Sequence, residues 1–164
     1  VKSAMKVLSG LDVDMTNLHA SGAIPMMQGA LEGLTCEDGT RPLLIAVTQL
    51  TSTDQETMER DLLIHEPIAD VVMHYANNAK TAGLDGVVCS PLEAGKVHER
   101  CGADFVTVTP GVRFADGDVG DQKRVMTPAE AKRIGSDYIV VGRPVTQAAD
   151  PVAAYERCVR EFVD

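Results

Sequence analysis

Residues 138–151 read YIVVGRPVTQAADP. Four residues suited to a buried strand, Tyr138 to Val141, run straight into Gly142-Arg143-Pro144. Asp150-Pro151 then marks a helix start, because a capping side chain stands before a proline at the first helical position. Strand, short turn and new helix together make one βα unit. The turn has chemistry of its own. Gly142 lets backbone N–H groups come close to an anion, and Arg143 supplies a planar fork of donors that matches phosphate oxygens. Spacing alone leaves a second reading open, in which Gly-Arg is only a turn carrying a solvated cation.

The same unit recurs upstream. DGVVCS (85–90) and DFVTVTPG (104–111) read as the third and fourth strands, DYIVVG (137–142) as the fifth, and VDMTNLHA (13–20) and LLIAVTQL (43–50) as the first two. Ser90-Pro91 with Glu93, and Thr127-Pro128 with Glu130, predict helices opened by capping boxes. AIPMMQGALEGL (23–34) reads as helix. A further helix is predicted from about Pro67 to Thr81, where Ile68, Val71, Val72 and Tyr75 recur at helical spacing before Gly83 closes it. Val1 to Ser9 reads as a helix stopping at Gly10. STDQETMERD (52–61) reads as a polar segment, with Thr51-Ser52 suited to be its N-cap. The methionines at 5, 26, 27, 58 and 73 are expected to pack helices.

Five short apolar strands alternating with helices predict a parallel α/β sheet with right-handed crossovers. Two architectures fit. A flavodoxin-like doubly wound sheet uses five strands at this length, whereas a (β/α)₈ barrel takes about 250 residues, so that 164 hold roughly five units. Composition alone favours the complete doubly wound sheet. Against it, the chain opens on a helix with no strand before it, and HASGAIP after the first strand is no GxGxxG fingerprint.

Composition narrows the partners. Fifteen basic residues against 24 acidic ones give a net charge of −9, which argues against nucleic acid or an anionic membrane surface. A small anionic ligand stays compatible, since a site can be locally positive. With no Trp and six other aromatics, aliphatic side chains must build the core. Cys36, Cys89, Cys101 and Cys158 show no metal-ligand spacing and read as free thiols. No apolar run approaches the roughly 18 residues of a membrane span, so a soluble cytoplasmic protein is expected.

Ligands bind at the carboxyl ends of parallel strands in either fold. The polar residues there are His19, Ser21 and Gly22; Thr48, Thr51 and Ser52; Cys89 and Ser90; Thr109, Gly111 and Arg113; and Gly142 and Arg143. TPGVR (109–113) opens a glycine- and aspartate-bearing loop long enough to serve as a lid. Arg113 equally suits neutralising Asp116, Asp118 and Asp121 in that loop. His65, His74 and His98 share no spacing that would make a metal site.

IAVTQLTS (45–52), GLDGVVCS (83–90), FVTVTPGVR (105–113), DQKRVMTPAEA (121–131) and IVVGRPVTQAADP (139–151), with NLHASG (17–22) and MMQGALEGL (26–34), stand in one collinear order. This ordered set resembles bacterial orotidine 5′-phosphate decarboxylase along essentially the whole chain. The resemblance implies a (β/α)₈ TIM barrel of the ribulose-phosphate-binding kind, with residues 1–164 forming about five of its βα units as a single domain. It overrides the composition-based preference for a doubly wound sheet. It further implies decarboxylation of orotidine 5′-monophosphate to UMP and CO₂ in pyrimidine biosynthesis, a small-molecule nucleotide ligand, no cofactor, no metal and a homodimeric complete enzyme. Carried over by position, Gly142 and Arg143 resemble the phosphate grip, Gln122 a lid residue reaching the phosphate, Arg113 the substrate-binding arginine, and Thr51 a contact near the base.

One departure shapes the expectation for activity. The family's Lys-Asp array lies mostly in a D-x-K-x-x-D-I-P-N-T segment on its third strand, and no such segment occurs in these 164 residues. VKSAMKVLSG (1–10) resembles the helix that follows it, so three of the family's eight units, about 70 residues, are expected to be absent from these 164. Lys2 and Lys6 are helix residues and do not take the missing role, so no catalytic residue is assigned. The 164 residues alone are expected to lack decarboxylase activity, and their unpaired edges at 13–20 and 137–142 to invite self-association. A non-catalytic nucleotide-binding module and a phosphosugar barrel such as a hexulose-phosphate synthase are the alternatives.

Overall fold

The computed structural model describes residues 1–115 and 126–164. Helix α1 (Lys2–Leu8) precedes strand β1 (Met15–His19), a 3₁₀ turn (Ala20–Gly22) and α2 (Ala23–Leu34). After β2 (Leu43–Val47) come α3 (Gln55–Leu62) and α4 (Ile68–Ala82). β3 (Gly86–Val88), α5 (Pro91–Cys101), β4 (Val106–Thr109), α6 (Pro128–Ile134), β5 (Tyr138–Ile139), α7 (Arg143–Thr146) and α8 (Pro151–Phe162) complete the described chain.

All five strands pair in parallel in the order β1-β2-β3-β4-β5. A flavodoxin-like sheet has the order 2-1-3-4-5, because its chain reverses direction once to cover both faces. Strands laid down strictly in sequence send every crossover the same way and curve as an arc of a barrel. The order settles the fold class for the TIM-barrel type and excludes the doubly wound sheet.

Among the described residues, the helix-packed core lies against one face of the sheet. Leu18, Leu44, Ala46, Val87, Cys89 and Phe105 point into a core shared with Met27, Ala30 and Leu34 of α2 and Val72, Ala76 and Ala79 of α4. Alternation puts Asn17, His19, Ile45, Val88, Val108 and Tyr138 on the other face. There Ile45 and Val108 in the middle of the arc are buried, whereas Asn17, His19 and Tyr138 toward its ends are exposed. β1 and β5 form the sheet's outer edges among the described residues. Beside β5, an apolar groove of about 430 Å³ runs between Ile139 and Val141 and the Tyr155, Val159 and Phe162 face of α8.

The helix starts follow their chemistry. Ser90 and Thr127 each accept a backbone N–H while Glu93 and Glu130 accept from the capping residue's own N–H, completing both boxes. Asp150 caps α8 through the Ala153 N–H at 3.0 Å. Gly83 closes α4 at φ 90°, a conformation that disfavours any side chain. Close packing also needs Gly33, since a Cβ there would stand 2.2 Å from the Lys2 carbonyl oxygen where α1 crosses α2. The methionines behave as expected: Met5, Met27 and Met58 are buried, and Met26 and Met73 pack against the core.

Two readings need correction. The polar segment 52–61 contains helix α3, and its cap is Asp54 accepting the Thr57 N–H at 2.9 Å, not Thr51-Ser52. Met58, fully buried on the inward side, supplies the apolar anchor, and the Gln55 side chain fixes the next helix by accepting the Ile68 N–H at 2.8 Å. The stretch after β5, where the sequence predicts a short turn, folds as the short helix α7.

A repeated clamp fastens the amino ends of the strands. Asp85, just before β3, accepts the Leu44 N–H of β2 at 2.7 Å and pairs with Arg41. Asp137, just before β5, accepts the Thr107 N–H of β4 at 2.7 Å and meets His98 Nε2 at 3.0 Å. Each aspartate ties its own strand to the previous one across the end opposite the ligand side.

Candidate functional site

Val47, Val88, Val108 and Tyr138 stand on one register line across β2 to β5. Thr51, Arg113 and Gly142 come four, five and four residues beyond that line, so they gather at the carboxyl end of the arc. Arg143 follows at the first position of α7. Gln122 lies outside the described residues, as does most of the loop read as a lid.

Thr51 is buried, together with Thr48 and Gln49 of the same strand end. Thr48 is locked into the sheet by donating Oγ1 to the Val88 carbonyl at 2.8 Å. Thr109 likewise serves the scaffold: its hydroxyl donates to Ser136 Oγ at 3.1 Å and lies 3.2 Å from the Tyr138 carbonyl. Arg113 is 7% exposed despite its charge. Its Nη1 donates to the Val112 carbonyl at 2.8 Å, and its backbone N–H donates to the Met126 carbonyl at 3.0 Å. Val112 and Met126 form a parallel bridge, so both ends of the intervening loop are joined beside β4. Gly111 turns the chain into this bridge at φ 81°.

At the end of β5, Gly142 takes φ −96° and ψ −100° and accepts N–H bonds from Val145 and Thr146. A Cβ built at Gly142 would meet nothing within 4 Å, so the backbone faces open space. Arg143 is exposed beside it. Backbone and guanidinium donors at one turn of this kind suit an anionic group.

The remaining candidates separate cleanly. His19, Ser21 and Thr48 line a cavity of about 560 Å³ at the carboxyl ends of β1 and β2, with Gln49, Asp61 and Tyr75. Gln49 was not anticipated; its place one residue past a strand-end threonine was the available signal. Cys89 belongs to the helix-side core and Ser90 is spent on its cap. None of the four cysteines forms a disulfide, and burial raises the thiol pKa of Cys101 and Cys158, which suits inert packing better than nucleophilic chemistry. Among the described residues no group of three His, Cys, Asp or Glu side chains is arranged to hold a metal ion, and no helix is long and apolar enough to cross a membrane.

A sequential parallel arc with buried and exposed cations at the carboxyl ends of its strands defines a barrel protein of the ligand-binding TIM type. More particularly, the chain belongs to the orotidine 5′-phosphate decarboxylase / HUMPS family, whose sequence profile matches residues 1–158. It is 60% identical over 164 residues to the orotidine 5′-phosphate decarboxylase of Streptococcus thermophilus, covering 100% of this chain and 69% of that protein. The enzyme of the same name from Geobacillus thermodenitrificans is 53% identical over 165 residues, again across 69% of its length. The crystal structure of orotidine 5′-phosphate decarboxylase from Lactobacillus acidophilus superposes with a TM-score of 0.85 at 42% identity, over 99% of this chain and 69% of that one. The Pyrococcus horikoshii enzyme shares the fold at 17% identity with a TM-score of 0.69.

Proposed function

We propose that these residues form the nucleotide-gripping part of an orotidine 5′-monophosphate decarboxylase that yields UMP and CO₂ in pyrimidine biosynthesis. The carrying observation is the 60% identity with a named decarboxylase across every residue of the chain. The placement of Thr51, Arg113, Gly142 and Arg143 at one end of the arc supports it.

In this reading Arg143 and the Gly142 backbone hold the 5′-phosphate, Gln122 reaches the same group, Arg113 binds substrate at the loop stem, and Thr51 contacts the nucleotide near its base. Contacts to a phosphate remote from the reacting carbon supply binding energy that holds the pyrimidine against the catalytic charges and excludes water. In the reaction the bond from C6 to the carboxylate carbon breaks, CO₂ departs and its electron pair stays on C6. A lysine of the D-x-K-x-x-D segment then protonates that carbon. The segment is absent from these 164 residues, so they bind nucleotide without turning it over. The complete enzyme acts as a cytoplasmic homodimer.

Two measurements on the purified 164-residue chain test this. Calorimetric titration with UMP is expected to show binding, and the absorbance of orotidine 5′-monophosphate is expected to stay constant in its presence. Turnover would overturn the assignment of catalysis to residues outside this chain. Binding of a sugar phosphate in preference to UMP would replace the nucleotide reading with a phosphosugar one, the other activity class compatible with a phosphate grip.

A further inference from the structure

Arg157 on α8 lies far in sequence from the loop stem after β4, yet the two meet. Its guanidinium carbon stands 4.1 Å from the centroid of the Phe114 ring, the residue next to Arg113. Glu161, one turn further along α8, accepts from Arg157 Nε at 2.7 Å and so fixes the orientation of the guanidinium. On the other side of the stem the Arg113 backbone is held by Met126, and Val112 is fully buried. Phe114 therefore stands between a stem pinned by the Val112–Met126 bridge and a helix face that presents an oriented cation to its ring. Cation–π pairing of this geometry favours one placement of the ring and, through the backbone, one direction for the preceding residue.

We propose that Arg157 is a positioning residue for Arg113: by stacking on Phe114 it keeps the Arg113 side chain turned inward at the carboxyl end of the arc. The inference rests on the reading of Arg113 as a nucleotide contact. It also joins two parts of the site, because α8 begins soon after the Gly142-Arg143 turn and is tied to α6 by Lys132 Nζ donating to the Val163 carbonyl at 2.9 Å. A helix whose N-terminal side follows the phosphate turn and whose middle steadies the second arginine aligns the two cations from one support.

The test uses the 164-residue chain, with UMP as the ligand, and the variants Arg157→Ala, Arg157→Lys, Phe114→Leu, Arg113→Ala and the double variant Arg113→Ala/Arg157→Ala. Arg157→Ala and Phe114→Leu are each expected to weaken UMP binding about fivefold, the size of one partly exposed cation–π contact, and Arg157→Lys by less. In the double variant the loss should equal that of Arg113→Ala alone, since nothing remains to position. Additive losses would show that Arg157 only packs α8, and would overturn the proposal. A second readout needs no nucleotide: the rate at which phenylglyoxal modifies Arg113, followed by peptide mass, should rise in Arg157→Ala and stay near the parent rate in Arg157→Lys. An unchanged Arg113 rate in Arg157→Ala overturns the positioning role by itself. If Arg113→Ala leaves UMP binding intact, the nucleotide reading of Arg113 fails, whereas the modification rate still decides whether Arg157 orients it.

Discussion

Ala23, at the junction of the turn after β1 and helix α2, adopts φ 64° and ψ 171°, a region open essentially to glycine alone. Its methyl group holds strain of about 1–3 kcal/mol, partly offset by the lower entropy of alanine in the unfolded chain. Ala23→Gly should therefore stabilise the protein by about 1 kcal/mol and raise its thermal midpoint; a lowered midpoint would show that the methyl packs usefully. Asp85 makes a second prediction at this scale. Burial pushes its carboxyl pKa up, but hydrogen bonds from Arg41 and the Leu44 N–H outweigh that and hold it below the ordinary 3.8. The stabilisation is present above about pH 3.8 and is lost as pH falls through the depressed native value. Asp85→Asn should cost about 1–2 kcal/mol in urea unfolding at pH 7 and flatten the acid limb below pH 4. An unaltered acid limb would remove Asp85 from the strand clamp. Neither feature was legible in the sequence, because both depend on where a backbone dihedral or a neighbouring strand falls.

Among the elements, those bounded by proline caps and glycine stops were readable in advance. Ser90-Pro91, Thr127-Pro128 and Asp150-Pro151 mark α5, α6 and α8 because the side chain caps the helix while the proline after it keeps the capping residue out of helical backbone. Helix α3 escaped because QETMERDL has one buried side chain, Met58, and so no apolar period to detect. Its signal was local instead: Asp54 three residues before Thr57, an acidic first turn at Glu56 and a basic last turn at Arg60. The strands were placed correctly but read too long, since apolar residues beyond the ladder, such as Leu50 and Val140, continue the pattern while standing exposed. Ser90→Ala removes one half of a buried capping box and should cost about 1 kcal/mol of stability, measured by urea unfolding. A loss below about 0.3 kcal/mol would mean that Pro91 and Glu93 set the helix start without it.

For the molecule as a whole, local pattern fixes parallel βα units but not the order in which they pair. Sequential order, visible only in the structure, separates the barrel arc from the doubly wound sheet; in the sequence the opening helix, the missing GxGxxG and above all the collinear motif set point that way. The arc also has consequences for behaviour. β1 and β5 present strand edges, and Tyr138, Val140 and Tyr155 expose apolar surface beside the groove at α8. Open edges next to apolar surface favour pairing with another chain. The 164 residues made alone should associate in a concentration-dependent way in analytical ultracentrifugation, whereas a single monomeric species across the concentration range would show that the edges are protected. What the sequence shows of the candidate residues is their position: Thr51, Arg113, Gly142 and Arg143 stand beyond the carboxyl ends of their strands. The Phe114–Arg157 contact was not, because no spacing connects residues brought together by the last helix.

The most direct measurement compares UMP and uridine binding by the parent chain and Arg143→Ala. Loss of a guanidinium that grips the phosphate should weaken UMP by about tenfold or more and leave uridine unchanged. Equal losses for both ligands, or no loss for UMP, would contradict a phosphate site at the end of β5.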